Sequence, residues 1–91
     1  MKLAAIDLDG TLLDRSGEIP EKNIEALQNF DRNGGIVTVA TGRNSISAKD
    51  IFEKLGIGGY LISSNGSFVA EMEKGKIVNV LKLSLIHISE P

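Results

Sequence analysis

The chain has no cysteine, no tryptophan, two prolines, one histidine and only four other aromatic residues, three phenylalanines and a tyrosine, in 91 positions. Without cysteine there are no disulfides and no thiolate metal sites, which suits a cytoplasmic protein. Charge of one sign is not in excess: ten basic and twelve acidic residues give a net charge of −2. No Lys/Arg cluster is interleaved with aromatics, so a nucleic-acid partner is not expected. No apolar run approaches the roughly 20 residues of a membrane span. At the amino terminus Lys2 precedes four apolar residues, and Asp7 interrupts them too early for the apolar region of a signal peptide. Internal repeats and low-complexity linkers are also missing. Ninety-one residues, 42% hydrophobic and 24% charged, read as at most one small globular domain with a modest core.

Within these bounds the chain alternates strand and helix as far as about residue 63. Leu3-Ala4-Ala5-Ile6 is a short apolar run and reads as a buried strand. Pro20 is suited to a first helical position, and Glu21 to Asn33 places Ile24, Leu27 and Phe30 on one face before Gly34-Gly35 stops the helix. Ile36-Val37-Thr38-Val39-Ala40 is β-branched and apolar, a second buried strand. Asn44 or Ser45 can cap a second helix running through Leu55, buried by Ile46, Ile51 and Leu55 and ended by Gly56. Tyr60-Leu61-Ile62-Ser63 is a third strand. Ser67 to Met72 and Ile77 to Val80, either side of Lys74-Gly75, read as a hairpin. Strand, helix, strand, helix, strand at these lengths implies parallel pairing through right-handed crossovers.

The chemistry-bearing residues fall at the carboxyl ends of those strands, where open α/β sheets bind their ligands. Asp7-Leu8-Asp9-Gly10-Thr11-Leu12-Leu13-Asp14 follows the first strand with two carboxylates one residue apart. Gly10 permits a tight turn there, and Thr11 offers a hydroxyl that can hold a neighbouring carboxylate. The second strand runs into Thr41-Gly42-Arg43, and the third into Ser63-Ser64-Asn65-Gly66. Each of these has a plainer reading. The acids can form a simple acidic turn, Thr41-Gly42 a strand-to-helix turn and Arg43 a solvated surface residue. Asn65-Gly66 is a favoured hairpin dipeptide.

Asp-x-Asp-Gly-Thr directly after an apolar strand resembles the first signature motif of the haloacid dehalogenase superfamily, and Thr41 at the end of the next strand resembles its second. The resemblance covers residues 1 to about 82. It implies an α/β fold: the amino-terminal half of a Rossmann-like, doubly wound parallel sheet followed by a β-hairpin, an incomplete domain. It also implies a phosphatase in which Asp7 attacks phosphorus to form an aspartyl phosphate and Asp9 acts as general acid and base. A Mg2+ ion would be held by the Asp7 carboxylate and the Asp9 main-chain carbonyl. Thr41 and Gly42 would bind the phosphoryl oxygens, with Arg43 as a substrate or phosphate contact and Asp14 outside the site. Ser64-Asn65-Gly66 resembles the substrate-facing Asn-Gly of the Cof-type branch, so turn and contact both remain open. The hairpin with Lys76-Ile77-Val78 in its returning strand resembles that branch as well. Pro20 opens the first helix too soon after Asp9 for a cap to be inserted there, and in the Cof-type branch a larger cap follows the hairpin.

Members of that branch act on small phosphorylated metabolites such as sugar phosphates or cofactor phosphates, which makes a small phosphate ester the expected partner. The family's phosphate-neutralising Lys and late acidic motif have no counterpart in this chain. On its own, then, the chain is expected to lack turnover, and a non-catalytic fragment is one alternative reading. A phosphomutase of the same superfamily is another. A dinucleotide-binding module would need a Gly-rich turn where Asp7 and Asp9 stand. A receiver-type domain would carry its acceptor Asp after the third strand, where this chain has Ser63-Ser64-Asn65. A transport ATPase would have Lys in place of Leu8 and Thr in place of Asp9. Finally, Leu83-Ser84-Leu85-Ile86-His87-Ile88-Ser89-Glu90-Pro91 resembles at every position a translated transposase adapter of the kind used in sequencing libraries. Residues 1–82 are therefore expected to be the partial core domain and 83–91 a non-native tail, in which the single histidine has no role. A genuine apolar strand is the alternative.

Overall fold

The computed structural model describes residues 2–83. Five strands form one sheet in sequence order: β1 (Leu3–Asp7), β2 (Ile36–Ala40), β3 (Gly59–Ser63), β4 (Phe68–Glu73) and β5 (Lys76–Leu83). β1, β2 and β3 run parallel, and β4 and β5 continue the same sheet antiparallel. The crossovers carry α1 (Glu21–Arg32) and α2 (Ser45–Glu53). Two right-handed crossovers stepping the same way across a sheet set both helices on one face. The burial pattern agrees. Val37, Val39, Leu61, Ala70 and Met72 alternate inward and form one core with Leu27 of α1 and Ala48, Ile51 and Phe52 of α2. Among the described residues no helix is long and apolar enough to cross a membrane.

Several expectations shift by a turn or a face. β1 is the edge strand of the described sheet, pairing with β2 alone, and the sheet face away from the helices is open; Leu3 is accordingly 72% exposed rather than buried. Pro20 is the residue before α1, extended at ψ 143°, and not its first helical residue. A ring without an N–H fits either place, but Ile19 is buried in the core and holds the entering chain extended. Ile46 is 71% exposed. The inward stripe of α2 is Ala48, Ile51, Phe52 and on to Leu55, three and four residues apart, and Ile46 lies off it. Phe30 is half-buried, its ring lying over Gly35. The helix caps itself through Asn44, whose Oδ1 accepts the Ser47 N–H at 2.8 Å. Leu55 follows α2 and is fully buried there. The hairpin is longer than the sequence suggested: β5 extends to Leu83, which pairs with Phe68. Leu83 is thus the one residue of the expected tail that is described; Ser84 to Pro91 lie outside the described residues.

Two features hold the parts that surround the strand ends. At Gly59 the backbone takes φ +132°, and a Cβ there would stand 2.0 Å from the Val37 carbonyl oxygen. Only glycine lets β3 come this close to β2. Between β1 and α1, Asp14 closes a tight loop: its Oδ1 accepts the Ser16 N–H at 2.9 Å, the Ser16 hydroxyl at 2.6 Å and the Glu18 N–H at 3.1 Å. These bonds, the Ser16 hydroxyl foremost, hold the Asp14 carboxyl below its ordinary pKa.

Gly59→Ala is expected to destabilise the chain by more than about 2 kcal/mol, the strained φ adding to lost pairing, as read by urea unfolding. For Asp14 the sign follows from a folded pKa that is depressed. Its contribution is complete above the unfolded-state value and is lost as pH falls through the folded one. The Ser16 and Glu18 amide resonances should therefore move with a midpoint below that of an ordinary aspartate, and Asp14→Ala should abolish that step.

Candidate active site

The parallel register decides which residues meet. Asp7 stands opposite Ala40, and Ala40 opposite Ile62, so three chain segments leave the sheet at one level. Thr41 N–H still reaches Ile62 O at 2.9 Å, extending the ladder by one step. A cleft of about 420 Å³ opens there, walled by Asp7, Thr41, Gly42, Ile62, Asn65 and Gly66. The Asp7 carboxylate is exposed and, among the described residues, has no hydrogen bond or ion pair. A larger cleft of about 640 Å³, between Lys2 and the end of α1 near Phe30, lies at the opposite end of the sheet and contains no carboxylate.

After Asp7 the chain dips into the core at Leu8, swings out through Asp9 and Gly10 (φ +90°), and returns at Leu12, the loop being closed by Leu13 N–H to Leu8 O at 3.0 Å. Asp9 is thereby carried out beside the cleft. There Arg43 grips it: Nη2 donates to Oδ1 at 2.8 Å, and Nε donates to Oδ2 at 3.1 Å and Oδ1 at 3.3 Å. The hydrogen bonds from Arg43 are the main reason the Asp9 carboxyl lies below its ordinary pKa. Partial desolvation opposes them, and the guanidinium charge and the Thr41 hydroxyl act in the same direction as the bonds. Arg43 is correspondingly raised by Asp9.

Thr41 is buried, and its Oγ1 accepts the Arg43 N–H at 3.1 Å, which leaves the hydroxyl proton to be donated elsewhere. Gly42 carries no side chain where one would crowd its neighbour: a Cβ there would lie 3.1 Å from Asn65 Oδ1. Gly42 precedes the Asn44 cap, so its amide lies ahead of the first turn of α2 and not within it. Ser64, Asn65 and Gly66 form the β3–β4 connection, and Asn65 and Gly66 also wall the cleft. Ser64 and Asn65 both have positive φ, 51° and 53°. That strain is held by bonds to the neighbouring loop, Ser64 N–H to Arg43 O at 2.8 Å and Asn65 N–H to Thr41 O at 3.4 Å.

The structure thus brings Asp7, Thr41, Gly42, Asn65 and Gly66 to one cleft, with Asp9 and Arg43 joined to each other at its side. Thr11 is elsewhere. It lines a small cleft with Ile6, Leu12 and Leu27, and the hydroxyl near Asp9 is that of Thr41. Sequence reasoning missed Ser47, whose Oγ accepts from Arg43 Nη1 at 3.2 Å, and the backbone role of Ser64. Helical spacing gives no signal for Ser47, since Arg43 lies ahead of the Asn44 cap and outside α2. Among the described residues there is no group of three or more His, Cys, Asp or Glu placed to hold a metal ion; the carboxylates are Asp7 on the cleft wall and Asp9 beside it.

The haloacid dehalogenase-like hydrolase family model matches residues 4–90. The chain belongs to the haloacid dehalogenase-like hydrolases. It is 46% identical over 72 residues to an HMP-PP phosphatase of Yersinia enterocolitica, which covers 79% of this chain and 26% of that protein. It is 45% identical over 73 residues to phosphatase YwpJ of Bacillus subtilis, covering 80% of this chain and 26% of YwpJ. The solved structure of a haloacid dehalogenase-like hydrolase from B. subtilis superposes with a TM-score of 0.74 at 38% identity, covering 97% of this chain and 30% of that one. A protein from Geobacillus kaustophilus gives 0.75 at 35% identity, over 91% and 30%. The chain therefore spans about a quarter of the length of the curated relatives it matches.

Because glycine adopts positive φ without penalty, Ser64→Gly should relieve strain and raise stability by about 0.5–1 kcal/mol, whereas Ser64→Val should lower it. Urea midpoints of the two variants against the unsubstituted chain check this.

Proposed function

We propose that this chain carries the nucleophile and the proton-transfer carboxylate of a phosphatase acting on a small phosphorylated metabolite, such as a sugar phosphate or a cofactor phosphate. The observation that carries the reading is the pair of unlike carboxylates. Asp7 is unpartnered on the cleft wall, and Asp9 is paired beside it. Membership of the family and relatives named as phosphatases support the same chemistry. In this reading an Asp7 carboxylate oxygen forms a bond to phosphorus as the ester P–O bond breaks, and Asp9 gives its proton to the departing oxygen. Water then attacks the acyl phosphate and passes its proton to Asp9, which frees Asp7 and phosphate. Thr41 hydroxyl and the Gly42 amide face the transferring group, while Asn65 and Gly66 border the remainder of the substrate. Arg43 and Ser64 act from behind this wall.

The residues present suit Mg2+ by donor chemistry. Asp7 supplies a free carboxylate and Asp9 a main-chain carbonyl, both hard oxygens, and magnesium is commonly held by one or two carboxylates with water and phosphate. When bound, such an ion would offset the repulsion between Asp7 and a phosphate anion. A small charged ester and a cysteine-free chain together suit a cytoplasmic setting.

The test is a chimera in which residues 1–82 replace the aligned segment of B. subtilis YwpJ. It should hydrolyse 4-nitrophenyl phosphate with Mg2+ and stop with chelator, whereas the chain alone should show no turnover. Asp7→Asn should reduce the chimera to background, and Asp9→Asn should slow it by about 10²–10⁴-fold on an alkyl phosphate and by less on the nitrophenyl ester. Full turnover by the Asp7→Asn chimera, with deamidation excluded by mass, would overturn the assignment of the nucleophile. A folded but inactive unsubstituted chimera would overturn the phosphatase reading.

A further inference from the structure

Two aspartates one residue apart pose a question of identity: what makes one the attacking group and the other the proton carrier? Asp7 and Asp9 have the same chemistry, so their surroundings must distinguish them. Asp7 has no partner among the described residues. Both oxygens of Asp9 are engaged by one guanidinium, with contacts of 2.8, 3.1 and 3.3 Å. A carboxylate with its charge and lone pairs so committed is a poor nucleophile, and its plane is fixed by the fork of the arginine.

Stability does not account for the pair. The side chains are 35% and 57% exposed, and exposed ion pairs contribute little to folding. Arg43 is nevertheless fixed at four places. Its N–H donates to Thr41 Oγ1 and its carbonyl accepts Ser64 N–H. Nη1 donates to Ser47 Oγ on the first turn of α2, and Nε and Nη2 hold Asp9. Ser47 is itself fixed, since its N–H donates to the Asn44 cap. A long surface side chain ordinarily gives up considerable rotamer freedom to be held in this way. Here the backbone on either side and the serine brace remove that freedom in advance. Its Nε, Nη1 and Nη2 are all committed to Asp9 and Ser47, which argues against its serving as the main phosphate ligand.

We propose that Arg43, braced by Ser47, is a positioning residue that sets the division of labour between the two aspartates. It holds the Asp9 carboxylate aside in a fixed plane and leaves Asp7 free to attack. The inference rests on the phosphatase reading for its catalytic meaning, but the Ser47–Arg43–Asp9 brace is a physical claim that can be tested without turnover.

In the chain itself and in the YwpJ chimera, the Arg43 Nε–H resonance should be that of a paired, slowly exchanging guanidinium. Asp9→Asn should return it to the position of a free arginine. Ser47→Ala should speed its exchange, and Ser47→Thr, which keeps the hydroxyl, should restore it. A free-arginine signal in the unsubstituted, folded protein would overturn the brace, whether or not the chimera turns over. The kinetic arm uses the chimera and compares 4-nitrophenyl phosphate, whose leaving group needs little protonation, with an alkyl phosphate, whose leaving group needs much. Arg43→Ala should reduce kcat about tenfold or more on the alkyl ester and several-fold less on the nitrophenyl ester, with KM and inhibition by inorganic phosphate changed less than about twofold. Ser47→Ala should show the same pattern more weakly, and Ser47→Thr should rescue it. Equal losses on the two esters, or KM and the phosphate inhibition constant rising together, would assign Arg43 to phosphate binding and overturn the proposal. Arg43→Lys, which keeps the charge but not the fork, should behave like Arg43→Ala; full activity in that variant would also overturn it.

Discussion

Everything at the cleft depends on three parallel strands lying in step. Asp7, Ala40 and Ile62 occupy one rung of the sheet. If β1 slipped by one residue, Asp7 would turn to the helix face and Ile6 to the open one, because side chains alternate along a strand. Ile6, packed against the core formed by Val37, Val39, Leu61, Ala70 and Met72, guards against that slip, since a shifted β1 would turn it out. Gly59 adds a second safeguard by letting β3 approach the Val37 carbonyl as no other residue could. The hydrophobic pattern of one sheet face thus sets the position of a carboxylate on the other.

On that frame the loops are tied to one another more than to their own strands. The Ser64 and Asn65 N–H groups donate to the Arg43 and Thr41 carbonyls, and the side chain of Arg43 reaches across to the β1 loop. The cost of holding Ser64 and Asn65 left-handed is met by these bonds, and strained residues gather where three segments converge. The shared neighbours make the loops one unit: moving Thr41 disturbs the Arg43 amide, which disturbs the grip on Asp9.

Much of this was legible in the sequence where local chemistry and tertiary context agree. β2 was read residue for residue because β-branched apolar side chains suit a strand covered by helices, and the cap of α2 was narrowed to Asn44 or Ser45, of which Asn44 caps, because both types offer an oxygen to the first turn. The motif after β1 pointed to the family that the comparisons show. What escaped was set by neighbours distant in sequence. Whether Leu3 is buried depends on what lies beside β1, and the length of β5 depends on pairing with β4. Ile46 is apolar and one turn from the stripe, and only the packing of Phe52 and Ala48 shows which side of α2 faces in. Thr11 and Thr41 are equivalent as hydroxyls, and only the register brings Thr41 near Asp9. The choice of Arg43's partner lay equally beyond sequence, since a guanidinium suits a carboxylate and a phosphate alike.

The order in which the sheet is linked also bears on how it is assembled. In β4 and β5, Glu73 meets Lys76 and Met72 meets Ile77 across a short turn, whereas β1 finds β2 only by joining Leu3 to Ile36 around the whole of α1. Closing a longer loop costs more chain entropy before any contact is made, and hairpins form in microseconds while non-local parallel pairs are slow. The hairpin is therefore the natural early structure, and the β1 edge is the natural late one. Asp7 and Asp9 reach their neighbours only at that last closure, so the cleft exists as a unit only once the slowest pairing is complete.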